Sequence, residues 1–437
     1  MTTENFLRGI DRRTFLKIVS ITGAAGLVYP QRLLSGVLPL DLSRVVMIED
    51  AAATSGTTID ANVAQSMVNC GIMNLAQAFD VGEAWKILLP GVSETSVIAI
   101  KVNCINSSMP SHPPVAYAIA GTLSQMDFGG TPFPENNIII FDRTNGELSS
   151  SGYTLNTSAT GVRCFGTNES GVGYTAGTYD VNGSSQRIST ILTGMADYMI
   201  NLSVLKNHSM AGVTMCLKNH YGTCNSPGSL HGNDCDPYIP ALNALAPIRD
   251  KQKVNICDAL LGVYSGGPGG SPQFAANTLI MSRDIVAVDY QGREILDANG
   301  CTTLGDSHHI ETAAGSPYNL GTNDPAQMDV VTLSEPAGVE DGAGLSSIML
   351  QQNHPNPFSA DTRVRFYLPE PEPVSMTVYD VSGRRVRRLI DNTVDAGWHE
   401  VPWDGDTDGG RMAASGVYFC QLETRGYKKA VVMQLVK

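Results

Sequence analysis

The chain has 437 residues, room for about three units of ordinary size. Hydrophobic residues make up 42% and charged residues only 16%, which excludes a disordered chain. The net charge of −13 excludes a nucleic-acid binder, which needs cationic surface to neutralise phosphates. The charge is unevenly spread: residues 1–30 are net basic, residues 351–437 are neutral, and the segment between them carries −15. That asymmetry points to separate modules, the acidic one central. Nine cysteines with no CxxC pair exclude a fully paired disulfide framework within a monomer.

At the N-terminus, Asp11-Arg-Arg-Thr-Phe-Leu-Lys17 precedes an uncharged run from Ile18 to Pro30 rich in Gly and Ala. The run is too short to span a bilayer, and no later segment reaches 18 apolar residues. The segment resembles a twin-arginine export signal, assigned to residues 1–37. The resemblance implies passage of a folded protein through the twin-arginine translocase, so its cysteines meet a reducing cytoplasm first.

Residues 38–330 alternate strand-like and helix-like stretches. Ser96–Val102, Asn137–Phe141, Tyr198–Leu205, Val254–Cys257 and Thr278–Met281 read as apolar strands. Pro114–Gln125, Ile188–Ala196, Pro240–Leu245 and Asp284–Ala298 read as helices, the last with an N-cap at Ser282 or Asp284. Apolar strands alternating with helices predict an α/β central domain with a largely parallel sheet. Sites in such sheets collect at the C-terminal ends of strands, which directs attention to Lys101, Asn103, Asp142, Lys206, His208 and Asp258. The densest patch is Leu205–Gly222, with two Lys, two His, a Cys and two small glycines. Lys206 and Lys218 can bind an anion or supply an amine, and His208 and His220 can bind metal or move protons. The catalytic candidates are therefore His208, Lys218, Lys206 and Asp258. Lys101, Asn103, Asp142, Gly212, Thr214 and Asn219 are candidates for binding a cofactor. The glycine-rich loop Gly262–Gly270 fits neither dinucleotide nor P-loop patterns and is expected to line the site.

Lys206-x-His-x-x-x-Gly-Val-Thr-x-x-x-Lys-Asn-x-x-Gly222 resembles the signature of the family called domain of unknown function 362. Ile100-Lys-Val-Asn103, Ile140-Phe-Asp142, Asp258 followed by Gly266-Gly-Pro268, and Asp284-x-x-Ala-x-Asp289 agree with it. A second resemblance is to nickel-pincer lactate racemases, where a His and a cofactor-bearing Lys lie ten residues apart, as His208 and Lys218 do around Gly212-Val-Thr214. It implies that His208 acts as acid/base, that Lys218 binds or carries a cofactor, and that His231 is a ligand. Cys216-Leu217 departs from the racemases' Gly-Gly before the Lys. The cofactor itself is left open between a metal ion and an iron–sulfur cluster. His220, Cys224, His231 and Cys235 form a zinc-type donor set. Cys216, Cys224 and Cys235, with Cys104 or Cys257, are the iron–sulfur option, although their gaps match no ferredoxin pattern. A Cys224–Cys235 disulfide is the simpler expectation.

After a linker at 331–350, residues 351–437 alternate apolar and polar residues in short runs: Arg363–Leu368, Val374–Tyr379, Val417–Leu422 and Ala430–Val436. This predicts a small all-β Ig-like sandwich. Asn353-His-Pro-Asn-Pro-Phe358, Val378-Tyr-Asp-Val-Ser-Gly383, Trp403-Asp-Gly405 and Ala414-Ser-Gly-Val-Tyr-Phe419 resemble the C-terminal sorting domain of the type IX secretion system, similar in turn to flagellar hook-capping domains. The resemblance implies the type IX machinery as a partner. It also implies a protein exported across the inner membrane of a Gram-negative-type bacterium, then secreted or attached at the outer surface. Nucleic-acid partners and a permanent membrane span are not expected. The expected function is a metal- or cofactor-assisted exported enzyme; the alternative is a non-catalytic surface binding protein.

Overall fold

The computed structural model describes residues 42–78, 80–334, 348–351, 353 and 355–436. The export-signal segment and most of the linker lie outside the described residues. The chain divides into two compact units, split near residue 344.

The first unit is built on a nine-stranded mixed sheet. Its strands are β1 (Ser43–Glu49), β2 (Ile98–Lys101), β3 (Ile138–Phe141), β4 (Arg163–Cys164), β5 (Tyr198–His208), β6 (Gly212–Thr214), β7 (Gln252–Val263), β8 (Phe274–Ser282) and β9 (Met328–Ser334). Their order is β9-β1-β8-β7-β5-β2-β3-β4, with β6 folded back on β5. β7, β5, β2, β3 and β4 run parallel, while β8 is antiparallel to both its neighbours. β2 and β3 are buried along their whole length, which is why they read as continuous apolar runs.

Helices cover the sheet: α1 (Ala61–Ala76), α2 (Val81–Leu88), α3 (Pro113–Leu123), α4 (Asn145–Ser150), α5 (Cys216–Asn219), α6 (Tyr238–Asn243), α7 (Ile285–Ala298) and α8 (His309–Ala314). Asp60, Asp80 and Asp284 cap α1, α2 and α7 through side-chain oxygens that accept first-turn N–H groups. The helix expected over Ile188–Ala196 is a single wide turn at Ile191–Met195. Two strands run further than their apolar cores predict. β5 continues through Lys206 to His208, and β7 continues past Asp258 to Val263. Asp258 therefore lies within a strand, not at its end. Among the described residues no helix is long and apolar enough to cross a membrane.

The second unit is all antiparallel β. One sheet is β10 (Met349–Leu350), β11 (Thr362–Leu368) and β14 (Gly397–Trp403); the other is β13 (Arg385–Val394), β12 (Glu372–Asp380), β15 (Gly416–Glu423) and β16 (Lys428–Leu435). Trp403, Phe366, Met376, Cys420 and Met433 fill its own core. Each of the four clustered arginines is paired: Arg384 with Asp380, Arg385 with Asp408, Arg387 with Asp406 and Arg388 with Asp391. The run is locally neutralised and is not a bare cationic patch.

Candidate functional site

The ends of β2, β3 and β5 meet α5 over a buried polar network. Lys101 Nζ donates to Val102 O (2.7 Å) and Asn219 Oδ1 (3.2 Å), and pairs with Asp142 Oδ1 at 2.8 Å. All three of its protons are used. Asp142 also accepts from the N–H of Cys104 (2.6 Å) and of Arg143 (2.8 Å). Asn219 Oδ1 accepts from Asn103 Nδ2 at 3.1 Å, and Asn219 Nδ2 donates to Asn201 Oδ1 at 2.7 Å. Lys206 Nζ donates to Asn103 Oδ1 (2.9 Å) and Met109 O (3.1 Å). This network satisfies itself, so it is a rigid floor more than a set of free ligand groups. Gly222 lies against it: a Cβ there would sit 2.5 Å from Asp142 Oδ1 and 2.7 Å from Lys101 Nζ.

Above the floor is a cavity of about 310 Å³ lined by Lys101, Asn103, Asp142, His208, Thr214, Lys218, Asn219 and His231, with Arg143, Glu147, Tyr221, Gly222 and Pro268 among its further walls. Lys218 projects from α5. That helix starts where Asp289 of α7 accepts the N–H groups of Cys216 (2.8 Å) and Leu217 (3.0 Å). Lys218 Nζ lies 3.9 Å from the centre of the Tyr221 ring and 3.3 Å from His231 Nε2. No carboxylate pairs with it among the described residues. Burial pushes its amine down to about 8.

Backbone contacts fix both cavity histidines. His231 Nδ1 lies 2.9 Å from Pro227 O, which can only accept, so the ring proton is on Nδ1 and Nε2 faces Lys218 with its lone pair. His208 Nδ1 accepts from the N–H groups of Met210 (3.0 Å) and Ala211 (3.1 Å). Burial, with Lys218 next, pushes His208 down to about 3. The ring is neutral and carries its proton on Nε2. Gly212 allows the hairpin that presents it: its φ is +71°, and a Cβ would meet Ser307 N at 2.6 Å. Thr214 Oγ1 is buried and has no partner among the described residues.

The expected site residues therefore separate. His208, Lys218 and Thr214 share the cavity with groups to spare, and His231 lines it with both ring nitrogens engaged, by Pro227 O and Lys218 Nζ. Lys101, Asn103, Asp142 and Asn219 line it but are bound to one another. Lys206 lies beneath, and Asp258 accepts from the N–H and Nδ1 of His112, each at 2.8 Å, away from the cavity lining. Gly212 shapes the hairpin. The zinc-type set does not converge. His220 turns its Nε2 to Gln252 Oε1 (2.6 Å), and among the described residues no three His, Cys, Asp or Glu are placed to hold a metal ion. All nine cysteines are free and buried, which corrects the expected Cys224–Cys235 disulfide. The iron–sulfur option fails on the same geometry: Cys216 Sγ faces Ser203 and Ile256 O, Cys224 Sγ faces Tyr221 O, and the thiols do not gather. Pro268 brings the glycine-rich loop to the wall as expected, tied by Asn106 Nδ2 to Pro268 O at 3.0 Å. Sequence reasoning missed Tyr221, Arg143 and Glu147; Tyr221 stands three residues after Lys218, within one helical turn.

Residues 98–293 match the domain of unknown function DUF362. The match takes in every cavity residue named above, so the cavity belongs to the DUF362 domain. Residues 354–426 match the FlgD Ig-like domain. No curated protein matches the chain. Among solved structures, dimeric latent PorU from Porphyromonas gingivalis is 22% identical over 21% of this chain and 10% of its own, with a TM-score of 0.18. FlgD from P. aeruginosa is 26% identical over 17% of this chain and 60% of its own (TM-score 0.15). A protein from Thermotoga maritima is 12% identical over 50% of this chain and 58% of its own (TM-score 0.33). The chain thus spans less than two thirds of the length of each.

Proposed function

We propose that the DUF362 domain is an enzyme that takes a proton from carbon beside the carbonyl group of a small anionic substrate. The observation that carries this reading is the inventory of unspent groups. Lys218 is a buried amine with no carboxylate partner among the described residues. His208 Nε2–H and the Thr214 hydroxyl are donors in the same cavity. The lining carboxylates, Asp142 and Glu147, are already held by Lys101 and Arg143. A corner of donors without free carboxylates suits an oxygen anion. An amine near pH 8 suits a base working close to neutrality. Lys218 would take the proton, and His208 and Thr214 would hold the oxygen on which charge develops.

The test is hydrogen exchange in D2O, followed by proton NMR on pyruvate and other small 2-oxo acids. The protein should exchange their α-hydrogens, and Lys218→Met should abolish this. Binding without exchange would favour the alternative, a surface binding protein. A second reading, that Lys218 carries a covalently held cofactor supplying metal-centred chemistry, is supported by the same unpaired amine. The intact mass of protein exported from its native host separates it, through an adduct lost in Lys218→Arg.

We also propose that residues 1–37 direct twin-arginine export and that residues 351–437 are read by the type IX machinery. The Arg12-Arg13 pair and the motifs from Asn353 to Phe419 support this. Replacing both arginines by Lys should retain the protein in the cytoplasm, and deleting 351–437 should retain it in the periplasm. Unchanged surface delivery of either variant would contradict the reading.

A further inference from the structure

His231 touches both of the nitrogen groups that the proposed reaction uses. Its Nε2 lies 3.3 Å from Lys218 Nζ. Its ring stacks on that of His208, with centres 5.8 Å apart and planes inclined by 28°. A carbonyl can only accept, so with Nδ1 2.9 Å from Pro227 O the ring proton is spent there and Nε2 is left as an acceptor. The tautomer is thus set by the backbone, and the lone pair is aimed at the amine.

Tyr221 braces the same pair. Its ring centre is 3.9 Å from Lys218 Nζ, it meets the His231 ring edge-on at 5.1 Å, and its hydroxyl donates to the carbonyl of Leu230, the residue before His231. Pro227–Leu230 is a single tight turn, so the carbonyl that fixes the His231 tautomer and the carbonyl that takes the Tyr221 hydroxyl belong to one unit. An amine has three directions beyond its own carbon. The Nε2 lone pair takes an N–H in one, and the aromatic face attracts an N–H in a second. The third carries a lone pair when the amine is neutral and a proton when it is charged. The Cε–Nζ bond has three staggered wells, and among the described residues only these two rings choose between them.

We propose that His231 is a positioning residue for Lys218: its Nε2 and the Tyr221 face occupy two directions of the amine and turn the third into the cavity, where the substrate carbon must lie. The inference rests on Lys218 being the base of the proposed reaction. In the forward step the Lys218 lone pair takes the α-proton, and the C–H electron pair forms the enolate. The charge then rests on the carbonyl oxygen, beside His208 and Thr214. The ammonium keeps its two held N–H groups, so the same direction returns a proton to carbon or, after exchange with D2O, a deuteron.

The experiment uses the full chain and two readouts. One is the pH titration of Lys218, labelled with 13C at lysine Cε and assigned by the loss of its signal in Lys218→Arg. The other is the split between kcat and KM for exchange of the pyruvate hydrogens. His231→Phe keeps a ring against His208 and Tyr221 but removes the lone pair. It should lower kcat about tenfold or more with little change in KM. It should also weaken the hold of Lys218 on its proton about threefold or more, because an acceptor favours the ammonium. His231→Gln, which returns an acceptor, should recover most of both losses. His231→Met replaces the Phe variant should that one fail to fold. A kcat and a midpoint that ignore His231→Phe, or that fall equally in the Gln variant, overturn this inference alone. A wild-type chain that exchanges nothing, or whose Lys218 titrates near 10.5, overturns the reading of Lys218 as the base; the midpoint shift between wild type and His231→Phe still decides whether the imidazole holds the amine.

Discussion

Lys218 is held by an aromatic face and one neutral imidazole, and this has a thermodynamic consequence. Its folded value of about 8 lies below the ordinary 10.5, so the fold penalises the ammonium. Wild-type stability should therefore rise with pH between about 8 and 10.5, where only the unfolded chain still holds the proton. Lys218→Met should lack that rise and be more stable at pH 7 by about 2 kcal/mol in urea unfolding, while losing function. A Met variant less stable than wild type would show the charge to be compensated. At this scale the sequence was partly legible. His208, Lys218 and His231 stand out because reactive side chains crowd one short stretch. Lys206 and Asp258 misled because the end of an apolar run was taken for the end of a strand. The strands run on, since buried polar groups there satisfy one another, and hydrophobic periodicity carries no trace of that.

The short helix α5 is the element on which the cavity depends. Four residues cannot sustain a helix by propensity alone. Asp289, seventy-odd residues later, holds its first turn through two N–H groups. Asp289→Ala should cost about 2 kcal/mol and misplace Lys218, so that exchange activity falls further than stability does. Equal losses in a thermal melt and in activity would reduce Asp289 to a fold contact. Gly222, just beyond α5, makes a second test: Gly222→Ala drives a Cβ between Lys101 and Asp142 and should destabilise by about 3 kcal/mol. The Asp284-x-x-Ala-x-Asp289 string was read as a family mark, and its physical sense is now plain. Asp284 caps its own helix and Asp289 caps another. The core strands and α7 were legible from buried apolar runs and a cap. β1, α1 and α2 were not, because α1 buries Cys70, Gly71 and Asn74 among its apolar residues and shows no clean stripe.

For the whole molecule, two cores imply two cooperative units, and the β unit should fold when residues 348–437 are expressed alone, with its own thermal transition. The first unit should be acid-sensitive. His208, His220 and His309 are each pushed down to about 3 by burial, whereas the unfolded chain protonates them near 6.5. Their contribution is present above 6.5 and is lost as pH falls from there toward 3. Asp289, raised by burial to about 7, opposes this between 7 and 3.8, whereas His112, raised above 6.5 because Asp258 outweighs burial, contributes stability that is already complete below 6.5 and is lost only as pH rises. The balance predicts a loss of about 1–2 kcal/mol per pH unit below 6.5 in urea unfolding, smaller in His309→Leu. Fold class and the division into modules were legible from charge asymmetry and alternation. The chemistry was not, since it depends on which donors the folded network leaves unspent. The most direct test is α-hydrogen exchange of 2-oxo acids in D2O as a function of pH. Exchange that rises toward a plateau above about pH 8 in wild type and vanishes in Lys218→Met is the predicted result. Exchange that survives the loss of Lys218, or its absence from wild type across the panel, would contradict the account.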